Sequence, residues 1–164
     1  MARDSADPES LGPVTTALYN RAMDLLDHLS DSDRQRVEGR LHSNLITWLT
    51  TVKPDGQPVS VPVWFLARPD GTVVVYSRPS KAKLANIAGN PKVALGLDVT
   101  DIGRNIVRFE GIAKHDPSLP RAHEYPEYLA KYVERMGALF GTPESFGEQF
   151  TAGLVIELTK VYAG

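Results

Sequence analysis

The sequence predicts a mainly β protein, a small closed barrel of six antiparallel strands with peripheral helices. From residue 44 onward, short segments rich in β-branched and aromatic residues follow one another at close spacing. The turn signals KPDGQP and RPDG separate the first three segments, which is typical of an antiparallel meander. Such a succession of short strands and tight turns favours closure into a barrel.

The six strands can be placed by alternation and by turn signals. In chain order they are predicted over 44–52, 59–66, 72–77, 92–99, 105–115 and 152–163. The third strand is apolar throughout 73–76, so we expect both of its faces to be buried. A short helix with Ser80 as its N-cap follows it and ends at Gly89. This helix is too short for a parallel crossover, which favours an all-antiparallel sheet.

The remaining chain is predicted to be helical or disordered. A disordered leader, a helical extension and the barrel domain are expected at residues 1–12, 13–41 and 42–164. In the extension, helical spacing predicts a first helix over 13–29. Ser30 and Asp33 form a capping box for a second helix, which runs from Asp33 to Leu41. A Tyr-rich helix is predicted over 120–139.

Composition excludes several classes of function. The 164 residues carry a formal net charge of −2, which argues against a broad nucleic-acid-binding or membrane-binding surface. Cysteine is absent, and the four histidines lack metal-ligand spacing, so no metal site is expected. Hydrolase, phosphate-loop and Rossmann motifs are also absent from the sequence. Without a signal peptide or a membrane-length apolar run, we expect a cytoplasmic protein.

Three cations surround the start of the short helix after the third strand. Arg78, Lys81 and Lys83 precede any acid until Asp98, and we expect Lys81 at the first helical position and Lys83 at the third. A helix N-terminus is positive, so each exposed cation there costs about 0.3–1 kcal/mol. A bound phosphate or carboxylate would reverse that cost, aided by the Ser77 hydroxyl. A solvated turn also fits the composition, so the pattern favours an anion site without naming the anion.

The second strand contains Pro62, which cannot donate to a strand ladder. Two interpretations stay open. The strand lies at a sheet edge, or it bends there so that its backbone faces a flat ligand instead of a neighbouring strand. Trp48 and Trp64 fit core positions better than ligand contacts.

The chain resembles the pyridoxamine 5′-phosphate oxidase-like superfamily, the split β-barrel flavin and deazaflavin proteins. Three segments carry the likeness in order and spacing: ITWLTTVKPDGQPVSVPVWFL, VVVYSRPSKAKLANIAGNPKVAL and VRFEGIAK. They cover about 41–114, and the closing strand adds to them. The PDG-x-P turn together with K-x-x-N-I/L-x-x-N-P-x-V is fairly specific. Among the branches, the sequence looks most like the B-type F420-dependent oxidoreductases.

This resemblance implies a homodimer whose cofactor lies across the subunit interface. It implies that the basic helix start holds the cofactor phosphate, with two neighbouring residues assisting: Lys81, Lys83 and Asn86, with Ser77 and Arg78. It also implies that one strand flanks the cofactor ring through Ser60, Val61, Pro62, Val63 and Trp64. Pyridoxamine phosphate oxidases grip the FMN phosphate with cations on their second strand, whereas VSVPVWF has none. The absence of these cations from the second strand favours coenzyme F420 over FMN.

The function implied is that of an F420H2-dependent reductase, which transfers a hydride from the reduced deazaflavin to a small organic electrophile. An FMN-binding oxidoreductase of the same barrel and a non-catalytic F420-binding protein are the alternatives. The hydride step requires no protein acid or base, and no catalytic residue is assigned. Three tyrosines are candidate proton donors that fit packing or interface roles equally well: Tyr125, Tyr128 and Tyr132.

Overall fold

A curled antiparallel sheet forms the centre of the computed structural model, which describes residues 24–99 and 102–164. Its strands in chain order are β1 (Ile46–Val52), β2 (Pro58–Trp64), β3 (Leu66–Ala67), β4 (Thr72–Ser77), β5 (Lys92–Gly96), β6 (Val107–His115) and β7 (Ala152–Ala163). Across the sheet the order is β2-β1-β5-β6-β7-β4-β3, and every neighbouring pair is antiparallel. The mainly β prediction and the exclusion of a parallel crossover are therefore confirmed.

Four complete α-helices and one short 3₁₀ turn lie around this sheet in the described part of the chain, which also includes helical residues 24–26. They are α1 (Asp31–Ser43), α2 (Ala82–Gly89), the 3₁₀ turn Ala122–Glu124, α3 (Pro126–Phe140) and α4 (Pro143–Gln149). None of these described helices combines the length and apolar character that crossing a membrane requires. The Tyr-rich helix predicted over 120–139 corresponds to the 3₁₀ turn and α3.

The N-terminal extension is described only in part. The expected leader and most of the helix predicted over 13–29 lie outside the described residues, although Leu25 and Leu26 are helical and pack against the barrel core. The Ser30 cap is confirmed, because its hydroxyl accepts a hydrogen bond from the Asp33 N–H at 3.2 Å. With Ser30 as N-cap, α1 begins at Asp31, two residues before its predicted start.

The sheet has seven strands where the sequence predicted six, because the predicted second strand is broken at Phe65. Its two halves, β2 and β3, form the opposite edges of the sheet. Since one residue joins the two edge strands, the sheet must curl until its edges meet at Phe65. This curl produces a split barrel, because the edge strands β2 and β3 do not pair with each other. The closed barrel that the strand pattern favoured is therefore wrong, and the split barrel that the resemblance implied is confirmed.

The break at Phe65 is stabilised by two neighbouring side chains of α3. The Phe65 N–H donates to the Tyr132 hydroxyl at 2.8 Å, and the Phe65 carbonyl accepts from Lys131 Nζ at 2.9 Å. The Tyr132 hydroxyl lies 2.8 Å from both the Leu45 and the Phe65 carbonyl oxygens, so its proton can bond to either. These bonds replace the ladder bonds that a continuous strand would make, because buried backbone groups need partners.

Two apolar clusters pack on the two faces of the sheet. The larger cluster fills the barrel and includes Leu49, Val73, Phe109 and Ile156. The second lies between the outer face of the sheet and the helices α3 and α4, and it is formed largely by aromatic rings. All six residues of β4 are buried, as predicted, because its alternate side chains enter the two clusters.

Replacing Tyr132 by Phe should lower the free energy of unfolding by about 1–3 kcal/mol, because the Phe65 N–H and the Leu45 carbonyl would lose a buried partner. Urea unfolding measures this difference. Tyr162→Phe is the control, since that side chain is 48% exposed, and its effect should stay within about 0.5 kcal/mol. Equal stability of Tyr132→Phe and wild type would remove Tyr132 from this role.

Candidate functional site

A pocket of about 460 Å³ lies where β2, the start of α2 and the helices α3 and α4 meet. Eight of the ten residues that the sequence predicted to bind a cofactor line it: Val61, Pro62, Val63, Trp64, Ser77, Arg78, Lys81 and Lys83. The remaining lining residues are Tyr76, Leu139, Phe140, Phe146 and Phe150. The barrel therefore brings two predicted groups, from separate segments of the chain, to one cavity.

The other two predicted residues are not among the residues that line this pocket. Ser60 is exposed, and its hydroxyl pairs with that of Thr50 at 2.6 Å. Asn86 is buried, and its side-chain amide donates to the Thr51 hydroxyl at 3.1 Å. That bond ties α2 to β1, so Asn86 holds the helix in place from the side that faces the barrel.

The basic helix starts one residue later than the sequence predicted. Ser80 is not its N-cap, because the Lys81 N–H bonds back to the Arg78 carbonyl at 3.2 Å and closes a turn around Pro79 and Ser80. Lys81 is the N-cap and Lys83 becomes the second helical residue. No side chain caps this helix, and its first turn contains no acid. The positive end of α2 is thus left without a negative partner from its own sequence.

Lys83 is a partly buried cation without a counter-ion in the described chain. Its Nζ donates to the Ser77 hydroxyl at 3.1 Å, and no described carboxylate lies within ion-pair distance. Desolvation, together with the neighbouring charge of Lys81, holds the pKa of Lys83 below its ordinary value. Folding therefore places this charge where it is disfavoured, and a bound anion would relieve that cost.

The rim of the pocket links the basic helix start to α4. Arg78 donates to the Gln149 side-chain oxygen at 3.0 Å, and its guanidinium lies 5.1 Å from the centre of the Phe150 ring. Ser77 is buried and donates to the Arg78 carbonyl at 3.0 Å. Arg78 is thus held at the rim by neutral groups, and its charge stays available to an anion.

The opposite wall is the free edge of the barrel. β2 pairs only with β1, and Pro62 lies opposite Trp48 in that pairing. Of the two interpretations of Pro62, the edge strand is confirmed. One row of β2 backbone groups has no strand partner in the described chain, so this edge can meet a ligand.

The third wall is formed by Phe140, Phe146 and Phe150, which were not predicted from the sequence and which pack beside the predicted Trp64. Trp64 stacks on Tyr132 with ring centres 4.7 Å apart, and Phe146 stacks on Trp64 at 5.0 Å and on Phe150 at 4.4 Å. The available signal was Thr142, whose hydroxyl caps α4 by accepting from the Ser145 N–H at 3.1 Å. A threonine before Pro-Glu is typical of a helix start. The helix that follows carries Phe146, and Phe150 is its C-cap.

The three candidate proton donors do not reach this pocket. Tyr128 and Tyr132 are fully buried in the aromatic cluster, and Tyr125 lines a different cavity. Tyr76 does line the pocket, but its hydroxyl donates to the Pro120 carbonyl at 2.5 Å. Burial raises the pKa of Tyr76 to about 12, so it stays protonated at neutral pH.

The pocket combines cations at one end with a flat apolar wall, and no carboxylate or histidine lines it. This arrangement can hold an anionic group at the start of α2 and a planar ring against β2 and the aromatic residues. Acid–base catalysis by a side chain has no obvious candidate here. The site is built for binding and orientation.

In the absence of ligand, Lys83→Met should raise the free energy of unfolding at pH 7, by no more than about 1 kcal/mol because the ammonium is partly solvated. The folded state bears the cost wherever Lys83 is charged, which means below its lowered pKa. As pH rises through that lowered pKa towards the ordinary value of 10.5, the wild type loses the proton and the difference should vanish. Urea unfolding at pH 7 and pH 10.5 measures this. A variant that is less stable than wild type at pH 7 would contradict the assignment.

The family model described as pyridoxamine 5′-phosphate oxidase matches residues 34–163 of the chain. The match spans the barrel and the pocket. No curated protein shows a significant sequence match to the chain.

Solved structures with the same fold include proteins with different names. An F420 reductase is 23% identical, with 76% of this chain and 94% of that chain covered and a TM-score of 0.58. An FAD-binding protein from Mesorhizobium loti is 23% identical, with coverages of 81% and 90% and a TM-score of 0.57. General stress protein 26 from Bacillus anthracis is 18% identical, with coverages of 79% and 92% and a TM-score of 0.57. At such identities the likeness establishes the fold alone.

Proposed function

Because the chain belongs to the pyridoxamine 5′-phosphate oxidase family, we propose that it is an oxidoreductase that uses reduced coenzyme F420 to reduce a small organic electrophile. The observation that carries the proposal is the uncompensated charge of Lys83 beside the uncapped start of α2. An anionic group of a cofactor supplies the missing negative partner. The F420 reductase among the structures of this fold supports the choice of deazaflavin for this barrel.

The residues around the pocket fit such a cofactor. Lys81 and Lys83 would hold its phosphate, and Arg78 would extend the positive surface at the rim. The free edge of β2 and the indole of Trp64 would orient the ring. Because β2 has no cation, the grip on the phosphate rests on the helix start alone, and this favours F420 over FMN.

When bound in reduced form, the coenzyme supplies a hydride, which is the difficult part of the chemistry. The protein supplies orientation and exclusion of water. Phe140, Phe146 and Phe150 close one side of the pocket with apolar rings, so an electrophile with an apolar body would pack there. With no carboxylate or histidine in the lining, the proton that completes the reduction comes from water.

An FMN-dependent oxidoreductase is the alternative. The family description and the FAD-binding relative favour it, since both point to ordinary flavins in this fold. A non-catalytic F420-binding protein is the third candidate, supported by the absence of carboxylates and histidines from the pocket lining. Binding separates the first two candidates, and turnover of reduced F420 with enones or quinones separates an enzyme from a binder.

A homodimer is part of this proposal, with a second copy covering the outer face of β1, β2 and β5. The core position predicted for Trp48 is wrong, because Trp48 lies on this face with 46% of its surface exposed, beside Pro62 on one side and Gly96 on the other. Large exposed apolar side chains on a sheet face are typical of a subunit interface. The same face borders the free edge of β2, so a second subunit would complete the cofactor site.

Lys83→Ala should weaken F420 binding by about 1.5–3 kcal/mol, the scale of a hydrogen bond to a charged group. Titration followed by cofactor fluorescence measures the affinity, and wild type should bind F420 more tightly than FMN. Lys160→Ala is the matched control, because Lys160 is exposed on β7, outside the proposed dimer face, and does not line the pocket. Unchanged F420 affinity in Lys83→Ala would remove this lysine from the site, and tighter binding of FMN would favour the alternative cofactor.

The dimer can be tested separately from the cofactor. Wild type should sediment as a dimer at micromolar concentration without ligand, and Trp48→Glu should sediment as a monomer, since a buried unpaired charge is costly at an interface. Val133→Glu is the control, because Val133 is 42% exposed on α3, away from this face. A wild-type monomer, or equal dimerisation of Trp48→Glu, would contradict the interface.

A further inference from the structure

A second pocket, of about 580 Å³, lies beside the strand break and shares no lining residue with the first. Leu66 and Ala67 of β3 form one wall, while α1 contributes Leu41 and α3 contributes Ala130. Trp64, two residues before Leu66, lines the first pocket instead. The interrupted strand therefore supplies walls to two separate cavities.

Lys131 is the notable polar residue of this second pocket. Its Nζ donates to the Phe65 carbonyl at 2.9 Å and lies 3.9 Å from the centre of the Phe65 ring. Within the described residues, no carboxylate lies at ion-pair distance from it. Desolvation lowers the pKa of Lys131 to about 8. A carbonyl dipole and a ring face steady this charge without neutralising it.

Among the charged residues of the pocket, Lys131 is the cation that an anionic ligand would neutralise, because the other charges are already accommodated. Arg68 is already engaged, since its Nε donates to the Thr72 hydroxyl at 2.7 Å and lies 3.9 Å from the Asp70 carboxylate. Glu127 is exposed on the first turn of α3, where solvent and the helix N-terminus accommodate its charge. Tyr125 and the exposed His42 complete the lining residues with polar groups.

We propose that this pocket is a second ligand site, which binds an organic monocarboxylate with an apolar body, anchored by the Lys131 ammonium. The apolar walls accept the body of the ligand, and the carboxylate neutralises the lysine. The volume suits a small organic molecule. This site does not depend on the identity of the cofactor, nor on whether a cofactor binds.

Ligand binding at this second pocket can be followed through the fluorescence of Trp64. Lys131 and Tyr132 both bond to the Phe65 backbone, and Tyr132 stacks on Trp64 with an angle of 1° between the rings. A carboxylate that attracts Lys131 weakens the hydrogen bond from Lys131 to the Phe65 carbonyl. Because Phe65 follows Trp64 directly, we expect the fluorescence of Trp64 to change. In a Trp48→Phe background, Trp64 is the sole tryptophan of the chain.

The test is a titration of the full chain with hexanoate, in parallel with its neutral isostere hexanamide, by calorimetry and by Trp64 fluorescence. We expect saturable hexanoate binding that is at least tenfold tighter than hexanamide binding. Ala130→Phe fills the pocket from an exposed helix position and should weaken hexanoate binding at least tenfold. Lys131→Met should do the same, whereas Arg135→Met, which is one turn further along α3 and outside the lining, should not.

Three results would overturn the proposal: no hexanoate binding at millimolar concentration, equal binding of hexanamide, or full affinity in Ala130→Phe. Loss of hexanoate binding in Lys83→Ala would also overturn it, because the carboxylate would then occupy the first pocket. Lys131→Met removes a bond to the strand break and can unfold the protein. Ala130→Phe and the hexanamide comparison decide the question without it.

Discussion

The break of the edge strand at Phe65 is the constraint on which the rest of the structure depends. Two side chains of α3, Lys131 and Tyr132, bond to its backbone and keep the chain from continuing as one strand. One interrupted strand then supplies both edges of the sheet, and the sheet curls into a split barrel. The same break turns Trp64 towards the first pocket and Leu66 towards the second. The curl of the sheet and the two cavities are thus consequences of one local arrangement.

Electrostatics gives the first pocket its character. Lys83 is held by the Ser77 hydroxyl instead of a carboxylate, and the start of α2 has neither an acid nor a side-chain cap. Each of these features costs stability in the free protein, and each becomes favourable when an anion binds. Such locally unfavourable arrangements are typical of ligand-binding sites, because a ligand that removes the unfavourable interaction binds more tightly.

Local patterns in the sequence predicted most of the barrel but not its break. The apolar run of β4 and the cap at Ser30 depend on neighbouring residues, so both could be predicted. The interruption at Phe65 depends on Tyr132, 67 residues away, while the apolar pattern runs on through Leu66. Eight of the ten site residues that the family resemblance implied line one pocket. Phe146 and Phe150 belong to a third segment of the chain. Its helix cap at Thr142 could be predicted from neighbouring residues, but the packing of its rings against Trp64 could not.

A crystal structure of the protein with F420 is the decisive test of whether the cationic start of α2 holds the anionic part of a cofactor. We expect the cofactor phosphate within hydrogen-bond distance of Lys83 Nζ and of the first backbone N–H groups of α2, with the ring beside β2. A complex in which the phosphate lies elsewhere, and only solvent occupies that corner, would contradict this expectation.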